Sequence, residues 1–306
     1  MLRLEDYICH FKKISSMKKI TTLLSALLFF TIAGITQNSG SVILNKGQKY
    51  LIENKFTALS TQEMMGQSME SKAEVFTSNN IEVKDIKDNN YHLTNTFTKV
   101  TAVMSAMGQD ITFDSDKKED MNGEMGSSMK DIINQPKNVL VDKNGKIIYS
   151  KKDTTKLDTT SKESAGGMMS MMMEQLFGNP EETGFGLSEA FMIVPSNAKQ
   201  GFSWSDSSSK AGIKKSTTYT IKEIKGSEAI VTISGNLNAD TKTEMQGMEI
   251  SSKSSGKITG EEIVDLKTGL IKLRTTTLES SGNMEAMGQE IPMTTRLTSV
   301  STVKNL

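Results

Sequence analysis

The stretch "AIVTISGNLNA", Ala229 to Ala239, decides the fold. Ala229, Val231, Ile233, Leu237 and Ala239 fall on one side of an extended chain. Thr232, Ser234, Asn236 and Asn238 fall on the other, the pattern of a half-buried β-strand. "YHLTNTFT" repeats it, with Tyr91, Leu93 and Phe97 against Thr94, Thr96 and Thr98. Two hairpins announce themselves by their turns. "NVLVDKNGKIIYS" sets Asn144-Gly145 between apolar runs, and "EEIVDLKTGLIKLRTT" places Thr268-Gly269 at the same point of a similar unit. Alternation of this kind predicts antiparallel sheets with one solvated face.

Working outward from these strands, the chain repeats itself. "SAMGQDITF" (Ser105–Phe113) and "NMEAMGQEIPM" (Asn283–Met293) share Ala-Met-Gly-Gln-acid-Ile, and "MMGQSME" (Met64–Glu70) is matched by "EMQGMEI" (Glu244–Ile250). In each half a strand leads to a Lys-acid-Ile-Lys turn, a long strand, a Met/Gly/Gln turn, a further strand and a closing hairpin. The repeated phrases read as equivalent hairpin corners, with Gly108, Gly288, Gly145 and Gly269 at the turns. Glycine adopts φ > 0 there without a Cβ clash. The expected fold is therefore mainly β. Two related antiparallel β-sheet halves form a curved sheet, half-barrel or sandwich, with a Met-rich helical segment between them. The expected segments are residues 1–36 (N-terminal extension and signal peptide), 37–155 (first β half), 156–200 (linker and helical segment) and 201–306 (second β half).

Three stretches depart from the strand pattern. "KEDMNGEMGSSMKDIIN" spaces Met121, Met125 and Met129 four apart, a helical stripe weakened by Gly123 and Gly126 at about 1 kcal/mol each relative to alanine. "SAGGMMSMMMEQLFG" (Ser164–Gly178) is the stronger helix, stopped by Gly178-Asn179-Pro180. "GLSEAFMIV" suggests a short helix ending at Val194, then a loop.

The N-terminus carries a targeting signal. "MKKITTLLSALLFFTIAG" starts at Met17 with two lysines and an apolar run from Leu23 to Ala33. That run is short for a membrane span of about 20 residues and is followed by small and polar residues suited to cleavage, the form of a secretory signal peptide. The polar "MLRLEDYICHFKKISS" before it points to Met17 as the start of translation. Cleavage after Thr36 removes five basic and two acidic side chains. The 31 basic and 34 acidic residues left carry a net charge of −3, and the lone Cys9 is lost. A periplasmic or extracellular protein without disulfides, thiols or a membrane span is expected. Basic and acidic residues balance at 36 each in the whole chain, which disfavours nucleic acid as a partner.

At "FMIVPSNAKQGFSW" the spacing of Pro195, Gly201 and Trp204, followed by the hairpin of Asp265, Thr268, Gly269 and Leu270, resembles a family of exported bacterial envelope proteins of unknown function. The resemblance implies an envelope location and a β-rich fold, not a mechanism. Long strands with a helical plug are more distantly similar to periplasmic lipoprotein carriers of the half-barrel type, a likeness of fold alone.

The residues favour binding over catalysis. After signal removal one histidine remains, His92, on the Thr-rich side of its strand. No Gly-x-Ser-x-Gly elbow or phosphate loop appears, and the adjacent carboxylates Glu261 and Glu262 point to opposite faces of a strand. No catalytic residue, cofactor or metal site is assigned. Thioethers of the Met168–Met173 cluster suit Cu(I), but only Met169, Met172 and Met173 share a helical face, which makes copper a minor alternative. Methionines also fill irregular cores and adapt to varied apolar partners. A helix faced by Met168, Met169, Met172, Met173, Leu176 and Phe177 is either core or a lid over a hydrophobic, lipid-like ligand on the sheet. The competing function is a structural or protein-interaction module of the envelope, joined to another protein through exposed sheet edges.

Overall fold

Alternating sequence becomes one continuous antiparallel sheet. The computed structural model describes residues 40–64, 66–106, 109–130, 132–148, 186–210, 212–245, 248–286 and 288–306. Its strands are β1 (Lys49–Met64), β2 (Gln67–Lys87), β3 (Asn90–Ala106), β4 (Gln109–Asp114), β5 (Lys137–Val141), β6 (Ile147–Ile148), β7 (Ser203–Lys210), β8 (Ile213–Lys225), β9 (Glu228–Met245), β10 (Met248–Asp265), β11 (Leu270–Ala286) and β12 (Gln289–Asn305). They form a curved, open sheet in the order β6-β5-β3-β2-β1-β12-β11-β10-β9-β8-β7, with β4 beside β3. The first strand pairs with the last, Tyr50 opposite Asn305 through Gln62 opposite Met293, so the two halves are one sheet.

The repeat has a structural counterpart. β8, β9, β10 and β11 follow one another as neighbours. In the first half β2 and β3 occupy the places of β8 and β9, while β4 and β5 together line β3 as the unbroken β10 lines β9. Residues 115–136 interrupt that strand and hold two short helices, α1 (Lys118–Asn122) and α2 (Glu124–Met129). The break between them falls at Gly123, one of the two glycines that weaken the stripe. Met129, Ile132 and Ile133 are buried against Phe97, Val100, Ala102 and Phe113, with Met121 and Met125 packed at the edge.

All four Met/Gly/Gln phrases sit at hairpin tips on the same end of the sheet. The closing pairs are Met64–Gln67, Ala106–Gln109, Met245–Met248 and Ala286–Gln289. Gly288 has φ +73°; Gly108 lies outside the described residues.

The two closing hairpins meet at the opposite end, the base. Gly145 (φ +75°) and Gly269 (φ +73°) end matching turns that begin at Asp142 and Asp265. A strap from Ser41 to Leu44 bridges them. The Val42 N–H donates to the Lys143 carbonyl (2.7 Å), the Ile43 N–H to that of Thr268 (2.9 Å), and the buried Tyr91 hydroxyl to the Val42 carbonyl (2.7 Å). A Cβ on Gly145 would lie 2.8 Å from the Phe191 Cβ, so the left-handed turn and the close approach both select glycine. The expected helix reaching Val194 does not form. A single 3-10 turn, Leu187–Ala190, gives way at Phe191 to extended chain that bridges Leu270. The reason is packing: Phe191, Met192 and Val194 are all buried along the sheet, which an extended run allows and a helix would not.

Candidate functional site

Strand parity sorts charge onto one face. From Glu262 and Arg274 toward the hairpin tips, one face is built by Asn54–Gln62 of β1, Met69–Thr77 of β2, Val231–Thr241 of β9, Ser252–Glu262 of β10, Arg274–Met284 of β11 and Ile291–Ser301 of β12, each taken at every second residue. Among the described residues of this face only Glu262 and Arg274 are charged. The rest is neutral, with apolar residues such as Ala58, Leu297, Leu278, Ile258, Leu237 and Met293 interleaved with serines, threonines, amides and glycines. The area spans roughly 24 Å across six strands and roughly 33 Å along β11.

Burial on this face is greatest near the base, although Ile258 and Ile291 farther out are also buried. Near the base Thr77, Asn54, Ser301 and Val231 are buried, and Met192, Val194 and Ala198 cover Ile221, Val231, Val264 and Ile271. Farther out Ala58, Leu237, Leu278, Leu297, Met284 and Met293 are half-buried. The polar groups there are neutral: Ser60 and Thr295 hydroxyls lie 3.3 Å apart, and the Gln62 amide donates to the Met293 sulfur at 3.9 Å.

The two charged groups are consumed by each other. Arg274 Nε donates to Glu262 Oε2 at 2.7 Å, and its other arm pairs with the Glu189 carboxylate of the 3-10 turn. Glu262 is fully buried and its Oε1 has no hydrogen-bond partner. Burial raises its carboxyl above the ordinary 4.5; Arg274 opposes the shift, and the nearby Glu189 adds to it. Glu261, its sequence neighbour, is half-buried on the other face and pairs with Lys222 at 2.6 Å, as strand parity requires.

The opposite face carries the charges, including Lys55, Lys72, Lys257, Glu279 and Arg296. A cavity of about 830 Å³ opens there, lined by Leu59, Asn236, Lys257, Glu279, Thr294 and Arg296 among others. Its Arg296 and Glu279 are paired at 3.7 Å and about two-thirds exposed, a solvent-screened pair. His92 is exposed on this face of β3.

Of the residues singled out from sequence, Met168, Met169, Met172, Met173, Leu176 and Phe177 lie outside the described residues. Pro195, Gly201 and Trp204 shape the entry to β7. The Pro195 carbonyl accepts from Ala198, Gly201 (φ +83°) donates to the Ile221 carbonyl at 2.8 Å, and Trp204 stacks on Tyr219 with ring centroids 5.5 Å apart. The charge-free face has no local motif that marks it as a site. Its signal was present in "AIVTISGNLNA", but recognising a patch required knowing that β1 joins β12.

The chain belongs to a family of unknown function, DUF6263, whose model matches residues 88–271. No curated protein matches it. Among solved structures it is similar to lipovitellin, in a structure of lipid–protein interactions, at 14% identity and a TM-score of 0.45. That match covers 86% of this chain and 26% of the other, so the chain spans about a quarter of lipovitellin's length. An outer membrane channel from Pseudomonas putida F1 matches at 8% identity and TM-score 0.23, covering 86% and 97% of the two chains. OccK7 of Pseudomonas aeruginosa matches at 6% and 0.22, covering 85% and 100%. Among the described residues no helix is long and apolar enough to cross a membrane.

Proposed function

We propose that this is an exported, non-enzymatic protein that holds a hydrophobic, lipid-like ligand against the charge-free face of β1, β2 and β9–β12. One observation carries the proposal: over six strands every charge but one internal ion pair is confined to the opposite face. A face meant only for water would mix its charges, and a face meant only for core would be buried along its whole length. The export signal at Met17 supports an envelope setting.

The test is direct. Protein purified under native conditions is extracted and analysed by mass spectrometry, then stripped and titrated with a fluorescent acyl probe. A co-purifying lipid and saturable binding are expected. Leu297→Lys, which sets an unpaired cation on the face, should weaken binding by about tenfold or more while leaving the fold intact by circular dichroism. Empty protein that binds no probe ends the proposal.

A second reading, an interaction module of the envelope, is favoured by β7. This terminal strand is eight residues long, exposed at seven of them, and has neither proline nor a register shift to blunt its edge. It offers backbone for strand addition. Ser205→Pro and Ser208→Pro differ in parity, so one of them deletes an outward N–H. If β7 adds a strand, one variant should abolish any self-association seen by sedimentation and the other should not. A wild-type protein that stays monomeric at all concentrations removes self-addition.

A further inference from the structure

We infer that the ligand of the charge-free face is an uncharged lipid, of glyceride, ester or long-chain alcohol chemistry, rather than a fatty-acid anion or a phospholipid. This deepens the proposed function and rests on it. An anionic head group brought onto the face would lose its hydration and needs a cation in exchange. Among the described residues from β2 to β9 the face offers one cation, Arg274, and it is already held by Glu262 at 2.7 Å and by Glu189. A third carboxylate there would meet two others. The nearest other cation on this side is Lys215 of β8, opposite Leu237 and exposed at the margin.

What the face does offer toward the tips is neutral. Ser60, Thr295, Ser254 and Ser280 present hydroxyls between the apolar side chains, and Gln62 spends an amide hydrogen on a thioether, a weak acceptor that an ester carbonyl would readily replace. Hydroxyls and amides match esters and alcohols without a desolvated charge on either side. The opposite face, dense in lysine and glutamate, shows that this chain does not lack charge; it keeps charge away from this surface. Exclusion of charge is a means of discrimination, because a rejected ligand is one whose polar head is left unpaired.

The full mature chain, stripped of lipid, is loaded with a neutral fluorescent reporter and challenged with palmitate, methyl palmitate and cetyl alcohol at about pH 8, where the carboxyl is ionised. The ester and the alcohol should displace the reporter about tenfold more effectively than palmitate, and the gap should close as pH falls toward about 5. Lipid extracted from unstripped protein should be neutral in class. Palmitate displacing the reporter as well as the ester at the higher pH, or phospholipid dominating the extract, overturns the inference and leaves the proposed function standing. Failure of all three competitors, with no lipid in the extract, takes down the proposed function and the inference together. Lys215→Gln should change none of these ratios; loss of palmitate binding in that variant would reveal a cation partner and count against the inference.

Discussion

Arg274→Ala is expected to destabilise the protein by about 3–5 kcal/mol, measured by urea or thermal unfolding. The substitution leaves Glu262 fully buried with neither of its oxygens paired, and it releases Glu189 and the 3-10 turn from the sheet. The cost is that of an uncompensated buried charge, not the worth of the ion pair, and a double variant separates the two. Arg274→Met combined with Glu262→Leu removes both charges and should recover most of the loss. A double variant as unstable as Arg274→Ala would mean that the pair itself, or the hold on Glu189, supplies the stability.

The same carboxyl sets a pH dependence. Its titration in the folded protein lies above the ordinary 4.5, first because of burial. The folded state therefore holds the proton more tightly than the unfolded one. The stability this contributes is complete below about 4.5 and is lost as pH rises through the folded-state titration. Glu262→Gln lacks that loss. Its unfolding free energy, relative to the wild type, should improve as pH rises from about 4.5 toward neutrality. A constant difference over that range would show that Glu262 does not change protonation there.

The Glu262–Arg274 pair has no signature in the local sequence. The Thr268-Gly269 turn was plain, and counting back from the Asp265–Leu270 closing pair sets Glu262 opposite Leu273. A register shift between Ile263 and Val264 moves the pairing by one, and Arg274 arrives instead. Hairpins are written in local turn chemistry, whereas a bulge is decided by the packing of both strands. The strand alternation, the matching hairpins and the one-sided burial of Tyr91, Leu93 and Phe97 were legible for the same reason, being local. The union of β1 with β12, which joins the halves and creates the charge-free face, pairs residues more than 200 positions apart and leaves no local mark. The extended path of Phe191–Val194 differs from the expected helix because a short apolar run has no period to distinguish the two.

Glycines within the strands, which the alternating pattern passes over, carry the second large effect. Gly282→Ala is expected to cost about 3 kcal/mol or more, although its backbone conformation is open to any residue. A Cβ at Gly282 would stand 2.1 Å from the Lys253 carbonyl oxygen and 2.6 Å from the Ser254 Cα, and backbone on a paired strand cannot step aside. Gly235 and Gly260 are alike, each with a neighbouring carbonyl 2.4 Å from the absent Cβ. All three lie on the charge-free face proposed to receive a ligand, where neighbouring backbone occupies the space a side chain would take. Gly288 is the control. Its φ of +73° penalises alanine by about 1 kcal/mol, but nothing stands within 4 Å of the added carbon. Gly282→Ala should therefore be the more damaging of the two in unfolding experiments, and the only one of them to weaken binding of the acyl probe. Equal costs, or a larger one at Gly288, would mean that strand approach on this face does not depend on the missing side chain.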